Sequence, residues 1–120
     1  MELSKEAKRD ILNFVIGRVS DVADKDYQRR VWIKGEGPEC DDFTETVCQF
    51  FDLADPLLEK YKEYHLPENQ YQILKNFRDE FEAFSNKNDY PEVFIDTPEW
   101  TRITEMAKEV LKAFNYQKSR

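Results

Sequence analysis

The chain has 120 residues, with 25 Asp and Glu against 18 Lys and Arg, a single histidine and two cysteines. That length fits one domain, which can bury roughly two-thirds of its unfolded surface without disulfides. A net charge of −7 speaks against nucleic acid as the main ligand, since neutralising phosphates takes Lys and Arg. No uncharged run approaches the ~20 residues a membrane span requires, and the charged start Met1-Glu2-Leu3-Ser4-Lys5 does not resemble a signal peptide. The expectation is a cytoplasmic protein.

Ser4 to about Ala23 reads as a first helix. Ser4 can cap it, and Ala7, Ile11, Phe14, Val15, Val19 and Val22 recur at three- and four-residue intervals. Tyr27 to Ile33 fits either a short helix or an extended arm ending at Gly35. Gly35-Glu36-Gly37-Pro38 breaks regular structure. It fails as a phosphate loop, because no third glycine follows at the fingerprint spacing and Glu36 would repel the phosphate.

A second long helix is expected from Asp41 or Asp42 to about Ala54, with Phe43, Val47, Phe50, Phe51 and Ala54 on one face. Asp55-Pro56 should stop it and start another helix, with Asp55 as cap, Pro56 at the first position and Leu57, Leu58, Tyr61 and Tyr64 as its apolar side. Leu66-Pro67 is the next break. Glu68 to about Phe84 carries a stripe of Tyr71, Leu74, Phe77, Phe81 and Phe84. After a polar loop, the apolar Val93-Phe94-Ile95 should tuck under the molecule. Thr97-Pro98-Glu99 then opens the last helix, with Trp100, Ile103, Ala107, Val110, Leu111 and Phe114 at helical spacing. The expected architecture is all-α: one domain over residues 1–120, a bundle of four to five helices.

The acidity is local. Gly35 to Glu59 holds eight of the 25 carboxylates and no Lys or Arg, leaving 17 acids to face all 18 basic residues elsewhere. Asp41, Asp42, Glu45 and Asp55 have a structural explanation, since acids stabilise the first turn of a helix. At about 100° per residue, however, Asp41, Glu45 and Asp52 project as a ridge opposite the apolar face. Asp41 and Glu45 are also a mutually repelling i,i+4 pair. A ridge of acids without neutralising cations suits a basic partner. The candidate partner-binding residues are Glu36, Glu39, Asp41, Glu45 and Asp52, with Trp32 as an aromatic anchor beside them.

Catalytic signatures are sparse. One histidine, His65, excludes a histidine-rich metal site, and Cys40 and Cys48 lack zinc or redox spacing. Cys48 falls at the edge of the apolar face, where half-burial is expected. No cofactor and no metal are expected. The favoured reading is a non-enzymatic, acidic protein-binding domain, in its most concrete form an immunity or antitoxin-type inhibitor of a basic nuclease toxin. The alternatives are a generic adaptor and a metal-dependent hydrolase using Glu59 and Glu63 with Asp79 and Glu82.

Overall fold

The computed structural model describes residues 3–37 and 41–116. These form α1 (Lys5–Ala23), α2 (Lys25–Tyr27), a π-helical segment (Gln28–Ile33), α3 (Phe43–Glu59), α4 (Glu68–Ser85), α5 (Pro91–Phe94) and α6 (Pro98–Ala113). The fold is all-helical, with no strand among the described residues. Four long helices do the enclosing: α1 packs on α6 and α3, and α4 packs on α6 and α3, which closes a four-sided bundle. Two short helices and the π segment bring the helix number slightly above expectation.

The caps read from sequence are in place. Ser4 Oγ accepts from the Ala7 N–H at 3.0 Å, Asp42 from Glu45 at 2.7 Å, and Thr97 Oγ1 from Trp100 at 3.2 Å. Each satisfies an amide that the first helical turn would otherwise leave unpaired.

Tyr27 to Ile33 is helical, not an extended arm. One α-turn, capped by Asp24, widens into the π segment, where the Lys34 N–H reaches the Arg29 carbonyl five residues back at 3.1 Å. The segment buries Gln28, Val31 and Trp32 and leaves Arg29 outside, paired with Asp96 at 2.6 Å.

Asp55-Pro56 does not end a helix. α3 runs unbroken through Pro56 to Glu59. A proline inside a helix costs about 3 kcal/mol through its missing N–H and its ring. Here Pro56 is exposed, and so is Asp52, whose carbonyl a residue other than proline at position 56 would have bonded. Continuing the helix buries Leu57 and Leu58 in line with Phe50 and Ala54. Two leucines at about 1.5–3 kcal/mol each offset the proline. Asp55, freed from capping, holds Arg78 of α4 through two bonds at 2.8 and 3.2 Å. Residues 60–65 then form turns, and the expected helix carrying Tyr61 and Tyr64 is absent.

The high aromatic content is the core itself. Trp100 is fully buried, with Trp32, Phe43, Phe81, Phe84 and Phe94 all within 6.3 Å of it by ring centroid. Phe94 and Ile95 tuck inward as expected, whereas Val93 stands 74% exposed.

Candidate functional site: the acidic face of α3

α3 turns one side to α1 and α4 and the other to solvent. Its outward positions are Thr44, Glu45, Cys48, Asp52, Asp55, Pro56 and Glu59. Glu45, Asp52 and Glu59 follow at seven-residue intervals, two helical turns each, so they line up over about 21 Å. None of the three forms an ion pair among the described residues. Glu45 receives only a long bond from the Gln49 amide at 3.4 Å. Asp55 differs, being neutralised by Arg78. Cys48 lies between Glu45 and Asp52 and is exposed, not half-buried. Its position on the ridge, not on the apolar flank, sets that exposure.

The sequence-derived candidates separate into three groups. Glu45 and Asp52 are exposed on the ridge as expected, and Glu36 is exposed on the preceding loop. That loop is tied to the π segment by backbone: the Glu36 N–H donates to the Arg30 carbonyl at 2.8 Å, and Arg30 Nη1 donates to the Glu36 carbonyl at 3.2 Å. Glu39 lies outside the described residues, as does Cys40.

Asp41 and Trp32 form the third group, and they point inward. Asp41 precedes the Asp42 cap, so the helical wheel does not apply to it. Its half-buried carboxylate accepts from Tyr27 Oη at 2.8 Å, Trp32 Nε1 at 3.1 Å and Thr46 Oγ1 at 3.0 Å. Trp32 is 8% exposed and packs edge-on against Phe43 at 5.6 Å. Both are therefore corrected from surface residues to internal ones. A Trp indole N–H needs an acceptor when buried, and Asp41 supplies it.

Around this carboxylate lies a polar seam that composition and periodicity do not reveal. Burial, then the bond to Asp41, holds the Tyr27 phenol well above its ordinary pKa near 10. Next along the chain, Gln28 is fully buried. Its amide donates to the Asp21 and Val22 carbonyls at the end of α1, both at 2.8 Å, and its oxygen accepts from Trp100 Nε1 at 2.9 Å. Asp21, also buried, pairs with Arg18 at 3.2 Å, and Arg18 Nη1 reaches Gln49 of α3 at 3.1 Å. The only prior hint was spacing: Thr46 shares a face with Phe43 and Phe50, three and four residues away, where an exposed threonine is not expected.

The two acid pairs of the hydrolase alternative do not assemble. Asp79 and Glu82 both bond Arg78, at 3.1 and 2.8 Å, and Lys75 and Arg78 hold the Asp79 carboxyl below its usual range. No three His, Cys, Asp or Glu among the described residues converge closely enough to hold a metal ion. No helix among them is long and apolar enough to cross a membrane.

No protein-family model, curated protein or solved structure matches this chain. Function is therefore argued from the molecule. The outer face of α3 can do one thing chemically: present a row of carboxylates at fixed spacing on a rigid support. Its inner face is packed at Phe50, Ala54 and Leu57, so the helix that carries the carboxylates need not rearrange to meet a partner.

Proposed function

We propose that this is a small protein-binding domain that docks the outer face of α3 on a basic partner. The observation that supports it is the row Glu45, Asp52 and Glu59, exposed on one helix face with no cation of that helix and no ion pair among the described residues to neutralise them. On α4, by comparison, Asp79, Glu80 and Glu82 are each met by Lys75, Arg78 or Arg102. Unneutralised like charges cost the free protein something, and a cationic partner removes that cost. The most concrete form of the reading is an inhibitor of the immunity or antitoxin type, covering the positively charged active site of a nuclease toxin in place of its phosphate substrate. Long-range attraction would speed encounter, most strongly at low salt.

The test compares the wild-type domain with a Glu45→Lys/Asp52→Lys variant as bait in lysate of the source cells at low ionic strength. Both positions are exposed, so the variant folds and melts as the wild type does. A basic protein captured by the wild type and lost by the variant supports the proposal, with the association rate of the purified pair reduced roughly tenfold or more. Equal capture and an unchanged association rate would remove α3 from the interface.

A further inference from the structure

A second charged feature lies at the start of α1, where that helix meets the 60–65 turn, and its sign is opposite. A cleft of about 420 Å³ opens there, lined on one side by Lys5, Lys8 and Arg9 and on the other by Tyr64 and His65, with Leu12 also in the lining. Its volume falls in the small-molecule range of roughly 300–1,000 Å³. We propose that it binds a small organic phosphate, with the phosphate held by the cations and a planar apolar body laid against Tyr64 and Leu12.

Three observations carry the assignment. First, no strong ion pair among the described residues neutralises these cations. Lys5 and Lys8 form no ion pair among the described residues, and Arg9 has only Glu6 at 4.0 Å, both side chains largely in water. Contacts of that kind contribute little. Arg29, Arg78 and Arg102, by comparison, each contact a carboxylate at 2.6–2.8 Å.

Second, the placement works against the free protein. Lys5, Lys8 and Arg9 repel one another at three- and four-residue spacing, and they occupy the opening turns of a helix, where positive charge is disfavoured. A bound anion relieves both effects. Several converging charges suit a phosphate dianion better than a single carboxylate, and Arg9 adds a planar fork for its oxygens.

Third, the turn brings an apolar wall and a further donor to the same cleft. The Leu66 N–H closes on the Tyr61 carbonyl at 3.1 Å, which requires His65 in the left-handed region at φ +57°. This places His65 beside half-buried Tyr64 in the lining. Glu63 is the one acid among the described lining residues, and it is exposed.

The test uses AMP and phenyl phosphate as probes, with adenosine as the uncharged control, read by calorimetry and by melting temperature. Binding of either phosphate in the millimolar range or tighter, without binding of adenosine, is expected. Lys5→Ala/Lys8→Ala should weaken it roughly tenfold or more while leaving the free protein folded, since alanine suits helix positions and neither lysine is buried. Lys60→Ala/Lys62→Ala, on the same turn but outside the cleft lining, should leave it unchanged. The proposal is overturned if neither probe binds at about 10 mM. It is equally overturned if adenosine binds as well as AMP, or if the Lys5/Lys8 variant keeps full affinity. The acidic face of α3 takes no part in this experiment, so its outcome is independent of the partner-binding reading.

Discussion

Removing the Asp41 carboxylate tests the distinction between an acid on the binding face and an acid inside the fold. In Asp41→Ala, three donors lose their acceptor together: Tyr27 Oη, Trp32 Nε1 and Thr46 Oγ1. Bonds to a charged acceptor contribute about 1.5–3 kcal/mol each where the donor has no alternative. Tyr27 is only half-buried and can turn to water, and the Thr46 hydroxyl can fall back on a carbonyl of the preceding helical turn. Trp32 has neither escape, being 8% exposed and enclosed by Phe43, Tyr27 and Trp100. The sum is a loss of about 3 kcal/mol, which for a domain of this size lowers the melting temperature by roughly 10–15 °C. Asp41→Asn keeps an oxygen acceptor and should cost about 1 kcal/mol. Glu45→Ala, four residues on but exposed, should stay within about 0.5 kcal/mol of wild type. Urea unfolding followed by tryptophan fluorescence gives all three values. If Asp41→Ala proves as mild as Glu45→Ala, the carboxylate is a surface group and the polar seam has been misread.

Gln28→Leu should be among the most destabilising single changes, by about 3 kcal/mol, because the buried Trp100 N–H and the Val22 carbonyl lose the Gln28 amide and the Asp21 carbonyl keeps only the long bond from the Asp24 N–H at 3.4 Å. Gln70→Leu, which loses one half-buried bond to the Ala113 carbonyl, should cost no more than about 1 kcal/mol in the same urea assay. Alkaline pH offers an independent check. Because the Tyr27 pKa is raised in the folded state, its contribution is complete below the unfolded value near 10 and is lost as pH rises through the folded value. Stability measured between pH 8 and 11 should therefore fall more steeply in wild type than in Tyr27→Phe. Parallel curves would show that the phenol is not held by Asp41.

Much of this protein was legible as sequence because helix signals are local. The caps at Ser4, Asp42 and Thr97 need only a side-chain oxygen three residues before an amide, and the stripes of α1, α4 and α6 need only their own period, although Phe14 of the α1 stripe stands exposed under the Arg18 guanidinium. The exposure of Glu45 and Asp52 follows in the same way, from lying opposite Phe50 and Ala54 on one helix. Three matters required tertiary structure. The Asp55-Pro56 signal for a new helix was overridden because burying Leu57 and Leu58 in line with Ala54 outweighs one missing hydrogen bond on an exposed face. The direction of Asp41 was set by donors arriving from Tyr27 and Trp32, fourteen and nine positions earlier, and no local rule carries that information. The clustering of Lys5, Lys8 and Arg9 with Tyr64 and His65 depends on α1 meeting a turn more than fifty residues away. Sequence determined the cores of the four long helices and the face that Glu45 and Asp52 share, because those are properties of one helix at a time. Only the packed structure decided which of those acids faces water and which completes the core, because that depends on what the neighbouring helices bring to meet it.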